Sequence, residues 1–268
     1  MSKQRNLTML SKLFPVLFVI FFVTACATSP TGRSQFIMLP ENQVDQMGLQ
    51  AFSTLKRDKK ISLNNQYNHA TRCIAHAITQ VTGGRWEVVV FEDKDPNAFA
   101  LPGNKIGVYT GMLKLVDNQE ELAAVIGHEI GHVLAKHSNE RASQEMAMSQ
   151  GLNILQALTM PTSPLGQLGF GLLGIGAEYG VLKPFSRTQE SEADMIGVDL
   201  MAKAGFDPRY SVNLWQKMEQ ATQGKQPLEF MSTHPSHATR IQDLEKHMPQ
   251  AMGLFQQAQS AGKQPHCI

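Results

Sequence analysis

The run from Gln119 to Ala142 constrains this chain more than any other part of it. Apolar residues at Leu122, Val125, Ile126, Ile130, Val133 and Leu134 recur at helical spacing, and no proline interrupts them. Asp117 and Glu120 read as the capping pair at the start of this helix. On it stand His128 and His132, four residues apart and therefore on one face. Two imidazoles so placed can close on one Zn²⁺, and Glu129 sits beside the metal. A carboxylate there can take a proton from an activated water and return it to a leaving amine, which is the chemistry of peptide hydrolysis. Two histidines at this spacing also arise by chance on amphipathic helices, so the motif calls for a further ligand.

Glu190 answers that requirement. The segment Arg187-Thr188-Gln189-Glu190-Ser191-Glu192-Ala193-Asp194 opens a second helical pattern, through Met195, Val198, Leu200 and Met201 to a stop at Gly205 and Pro208. Glu190 and Asp194 share one face, so Glu190 can bind the metal while Asp194 accepts the distal N–H of a ligating histidine. Glu192 is expected to point elsewhere. The plain alternative is a solvated acidic helix start that complements the helix dipole.

These residues resemble the HtpX-like and CaaX-prenyl-protease-like zinc endopeptidases, which belong to the gluzincins. Four ordered blocks carry the resemblance: Asn97-Ala98-Phe99-Ala100-Leu101-Pro102-Gly103, His128 to His132, Glu190 to Asp194, and Ser232-Thr233-His234-Pro235-Ser236-His237 with Arg240. It implies that His128, His132 and Glu190 bind one zinc ion per chain, that Glu129 is the general base, and that Asp194 braces a ligand from behind. It also places His234 near the zinc, either donating to the oxyanion of the tetrahedral intermediate, the favoured role, or occupying the open metal position at rest. Arg240 is expected to pair with a site carboxylate. The remaining histidines, His137 among them, show no partner pattern and are assigned to surface or core.

The amino terminus carries Lys3, Arg5 and Lys12 ahead of an apolar run from Leu13 to Val23 and then Val23-Thr24-Ala25-Cys26. That order reads as a lipoprotein signal peptide over 1–25, with Cys26 as the lipid acceptor. Ala27 in place of aspartate favours a chain anchored in the cell outer membrane and facing the periplasm. Residues 26–40 are expected to be a tether and 41–268 a single metallopeptidase domain. Removing the three basic side chains of 1–25 takes the net charge from +1 to −2, which argues against a nucleic-acid partner. Once Cys26 is set aside, Cys73 and Cys267 remain as an even pair, the natural candidates for a disulfide in an oxidising compartment.

Helical patterns run from about Glu41 to Lys59 and from Asn65 to Val81. Trp86 to Phe91 and Ile106 to Thr110 are rich in β-branched and aromatic residues and read as strands, with Asn97 to Ala100 as an edge between them. By the resemblance, Asn97, Ala98, Phe99 and Ala100 bind an extended substrate by strand addition. Residues 151–183 interleave glycine with leucine and phenylalanine in stretches too short to span a membrane, and are expected to form a flap or close-packed helix over the site.

Together these features imply a mostly helical α+β fold of gluzincin type with a small β-sheet beside the His-Glu-Ile-Gly-His helix. The expected function is zinc-dependent cleavage of periplasmic or outer-membrane proteins in envelope quality control. The alternative is a chaperone-like outer-membrane assembly factor whose zinc site is gated. The expected partners are protein or peptide substrates, the membrane through the lipid anchor, and envelope assembly or chaperone factors.

Overall fold

The computed structural model describes residues 26–159, 185–222, 228–235 and 239–268. The expected signal peptide, 1–25, and residues 160–183 of the expected flap lie outside these. Among the described residues the fold is mostly helical, with two small sheets, and no helix is long and apolar enough to cross a membrane.

A short hairpin comes first, β1 (Cys26–Thr28) antiparallel to β2 (Ser34–Phe36). It is not free of the domain. Gln35 is buried and donates to the carbonyl of Ala135, and the amide of Met38 donates to Ser143. The stretch expected as a tether is therefore folded back onto the protein.

Two amphipathic helices follow, α1 (Glu41–Asp58) and α2 (Asn65–Thr82), close to where periodicity places them. A three-stranded sheet of β3 (Glu87–Phe91), β4 (Ala98–Leu101) and β5 (Lys105–Tyr109) has the order β3-β5-β4. β3 runs parallel to β5, and β4 runs antiparallel to it, which leaves β4 at the edge. Alternation along β4 sends Phe99 and Leu101 into an aromatic cluster with Phe52, Phe91 and Tyr109, and Ala98 and Ala100 toward the main core. Gly107 lies opposite Phe99, and only a glycine leaves room there for the ring.

After a short α3 (Thr110–Leu115) comes the motif helix, α4 (Gln119–Leu134), buried along most of its length. Its cap is Asn118, whose side chain accepts from the amide of Glu121, and not the expected pair of Asp117 and Glu120. Asp117 instead pairs with Lys217 at 2.5 Å. The expected single helix to Ala142 is broken at Lys136, whose φ of 53° is left-handed, and α5 (His137–Thr159) starts in a new direction. α6 (Arg187–Ala204) opens with a capping box between Ser186 and Gln189 and stops at Gly205, with φ of 97°. α7 (Tyr210–Thr222), α8 (Glu229–Thr233) and α9 (Arg240–Ser260) complete the order.

Helices α4 and α6 meet almost backbone to backbone. A Cβ on Gly131 would stand 2.8 Å from the carbonyl oxygen of Ala193, so small residues four apart on both helices set the approach. The chain end is tied to the same region. Cys267 is disulfide-bonded to Cys73 of α2, its amide donates to Gln119, and the Gln119 side chain donates to the carbonyl of Pro265.

Candidate metal centre

The close crossing of α4 and α6 carries Glu190 up to His128 and His132. One ligand atom from each of His128, His132, Glu190 and His234 lies within 4.8 Å of the other three, and all four residues are buried. The Nε2 atoms of His128 and His132 are 3.1 Å apart. Nδ1 of His234 is 3.2 Å from His128 Nε2 and 3.1 Å from Glu190 Oε1. His234 thus stands inside the donor cluster and not merely beside it.

The donor chemistry fits one divalent cation. Nδ1 of His128 faces Asp194 at 2.9 Å, which leaves Nε2 as a lone pair aimed at the other donors. Burial alone would lower the pKa of His128, yet Asp194 and Glu190 push it up to about 9. The pocket draws positive charge to itself. Burial would likewise raise Glu190, but His234, His128 and His132 hold its carboxyl well below the usual range, as an anionic ligand must be. Three imidazole nitrogens and a carboxylate are a donor set suited to zinc.

Arg240 braces this arrangement. Fully buried, it reaches Asp194 twice at 2.7 Å and Glu190 at 3.0 Å, and its guanidinium lies over the ring of Trp215. Asp194 is held by this fork while it faces His128.

Glu129 stands next to the donors without joining them. Its Oε2 accepts from the amide of Ala100 at 3.1 Å, and its Oε1 lies 3.3 Å from Nε2 of His234. Burial raises its carboxyl above the ordinary range against the pull of His234 and His128, which suits a group that must exchange a proton.

The four residues expected to bind substrate have divided tasks. Asn97 accepts from Tyr109 through its backbone and donates from its side chain to Glu229. Ala98 is packed in the core, Phe99 lines a cleft, and Ala100 holds Glu129. That cleft is bordered by Phe99, Leu101, Glu129, Arg141, Phe185 and His234. Phe185 stacks on His132 with centroids 4.0 Å apart, and Arg141 covers its other side at 4.3 Å.

Two residues that sequence reasoning set aside sit behind the site. His137 is fully buried with Nδ1 2.9 Å from Nδ1 of His132, and Glu192 is buried 3.1 Å from His137 Nε2. A straight helix would carry His137, five residues after His132, to a different face. The break at Lys136 returns it to its neighbour. Glu192, expected to point elsewhere, is buried because α6 is covered on that side by the β1–β2 hairpin, whose Arg33 reaches it at 2.7 Å. The side chain of Cys26 is not among those described.

The model of peptidase family M48 matches residues 62–248. The chain is 41% identical over 176 residues to the mitochondrial metalloendopeptidase OMA1 of Schizosaccharomyces pombe, covering 65% of this chain and 50% of that protein. It is 32% identical over 258 residues to the mitochondrial metalloendopeptidase OMA1 of Bos taurus, covering 90% and 49% respectively. It is 30% identical over 217 residues to the metalloprotease LoiP of Escherichia coli, covering 80% and 84%. The chain thus spans about half the length of the first two relatives. These names correct the expected compartment: of the three relatives named, the two of higher identity are mitochondrial, which conflicts with placement in a bacterial outer membrane facing the periplasm. The physical reason is that basic residues ahead of an apolar run, with no acidic ones, are features that leaders for different destinations share.

Proposed function

The chain belongs to peptidase family M48, and from that premise we propose that it is a zinc-dependent endopeptidase acting on protein or peptide substrates. The observation that carries the proposal is the convergence of His128, His132 and Glu190 beside the buried carboxylate of Glu129. When bound, zinc supplies the Lewis acidity that brings the pKa of a water toward neutrality and polarises a carbonyl. The chain's own residues do the rest. Asp194, clamped by Arg240, keeps His128 in the tautomer whose Nε2 is free.

Glu129 is held at one oxygen by Ala100, so Oε1 is the atom that takes a proton and later passes it to the leaving nitrogen. Antiparallel pairing through Asn97 and Tyr109 turns the main-chain groups of Ala98 and Ala100 to the free edge of β4. The Ala98 amide is occupied by the side-chain oxygen of Asn97 and the Ala100 amide by Glu129, so the carbonyls of this edge are the groups left to receive an extended peptide. An edge of that kind takes unfolded segments, which fits protein quality control. The half-buried ring of Phe185, stacked on His132, adds an apolar wall to the cleft.

A second reading has its own observation. His234 completes a four-donor set, and four protein ligands leave no position for water. On this reading the chain is chaperone-like at rest, with a capped site that opens when substrate displaces His234. Separately, Val23-Thr24-Ala25-Cys26 alone carries the proposal that Cys26 is a lipid acceptor; fatty-acid labelling of wild type and Cys26→Ala tests it.

The proposed activity is tested with an unstructured protein such as casein. Cleavage is expected with zinc, lost on chelation and restored by adding zinc back. Cleavage that persists in fully chelated protein contradicts it.

A further inference from the structure

Behind His132 runs a chain of buried polar contacts that ends on the amino-terminal hairpin. His132 Nδ1 meets His137 Nδ1 at 2.9 Å, His137 Nε2 meets Glu192 Oε2 at 3.1 Å, and the same oxygen receives Arg33 Nε at 2.7 Å. Thr31 donates to the other oxygen of Glu192. The guanidinium of Arg33 also grips Glu140 through two hydrogen bonds of 2.7 Å, and Gln35 and Gln189 donate to Glu140 as well.

Only one proton fits between two facing Nδ1 atoms. If His132 is to offer Nε2 as a lone pair, its single proton is on Nδ1, and His137 must accept there. His137 then carries its proton on Nε2 and donates it to Glu192. The acceptor at the end of the chain thus dictates the tautomer of both rings. Glu192 in turn is oriented by Arg33 and Thr31. With Glu140 included, the group behind His132 holds two carboxylates against one guanidinium, a net negative charge facing a ligand histidine.

We propose that Arg33, Glu192 and His137 are positioning residues that set the tautomer and angle of His132 for the metal, so that the β1–β2 hairpin is part of the zinc site. The inference rests on His132 being a ligand. It makes the metal affinity of a site built from α4 and α6 depend on a residue some hundred positions upstream of it.

Zinc affinity of the full chain, measured by competition with a chromophoric chelator, tests the proposal, with the melting temperature of the zinc-free protein recorded for each variant. Loss of such supporting contacts weakens zinc by about 10–100-fold, and Arg33→Met and His137→Phe are expected in that range. Arg33→Lys keeps the charge without the fork and is expected to recover part of the loss. Thr31→Val removes one contact to Glu192 without changing charge, and keeps the test readable if Arg33→Met does not fold; a fewfold weakening is expected. Lys217→Met breaks the pair with buried Glu121 at the far end of α4, so it lowers stability while leaving zinc affinity within about twofold of wild type. Zinc affinity of Arg33→Met or Thr31→Val no weaker than that of Lys217→Met overturns the proposal. Undiminished zinc binding by His132→Ala instead overturns the assignment of His132 as a ligand, on which the proposal rests.

Discussion

Gly197 of α6 lies so close to α4 that a Cβ placed on it would stand 2.6 Å from the backbone nitrogen of His128, and one on Gly127 would stand 2.7 Å from the Gly197 carbonyl oxygen. This contact sets the distance between the helix bearing two proposed ligands and the helix bearing the third. Gly197→Ala is therefore expected to push the helices apart, costing about 1–3 kcal/mol despite the better helix propensity of alanine. Zinc affinity should fall with it. Gly253 on α9 has open space around its Cβ position, and Gly253→Ala should instead stabilise by about 0.5–1 kcal/mol. Urea unfolding of both variants checks the contrast.

The link between Cys73 and Cys267 spans 194 residues and fastens the chain end over the start of α4. Cys73→Ser, or reduction, is expected to lower stability by about 2–4 kcal/mol, chiefly by freeing the unfolded chain. A urea midpoint unchanged on reduction would contradict this.

Acid should loosen the network behind His132. Burial alone would raise Glu140 and Glu192, but Arg33 and Gln189 around the first, and His137, Thr31 and Arg33 around the second, hold both below the ordinary value of 4.5. Because their folded-state values are depressed, the stability they contribute is complete above that value. It is lost as pH falls from 4.5 through the lowered ones. Urea midpoints between pH 7 and pH 3 should decline more steeply for wild type than for Arg33→Met.

His234→Ala separates the two roles open to that imidazole. Loss of an oxyanion donor lowers turnover by about 10²–10³-fold. The position of His234 within the donor cluster favours the opposite sign, a rise in cleavage of unstructured peptide as the fourth position opens. Initial rates on a fluorogenic peptide at saturating zinc decide between them.

The helices α1, α2, α4 and α6 and the strands of the main sheet were legible because their apolar residues recur at one period over long enough stretches. The juxtaposition of His128, Glu129 and His132 was legible because spacing on a helix is local, and Glu190 was reached only through the motif's need for a further ligand and the resemblance, since its approach depends on a second helix. What escaped depends on contacts between distant segments. Lys136 adopts a left-handed backbone that no glycine or asparagine announces, and without that break His137 has no reason to meet His132. The three-residue strands of the hairpin are too short to carry a period, so Arg33 reads as part of a tether, and Glu192, expected to point away from the site, gains its buried partners only through the hairpin. Gly127 and Gly131 on one helix, and Ala193 and Gly197 on the other, mark the close crossing, a signal present in the sequence at spacings of four.

The central claim, that Glu129 moves the proton at a zinc site held by other residues, is tested most directly by Glu129→Gln. Glutamine preserves the shape and can still accept the Ala100 amide, but it cannot take up a proton at neutral pH. Metal analysis together with cleavage of casein by the purified full chain is the measurement. The account predicts one zinc per chain, as in wild type, with cleavage reduced at least about 10²-fold. Retained zinc with cleavage within about twofold of wild type would contradict it.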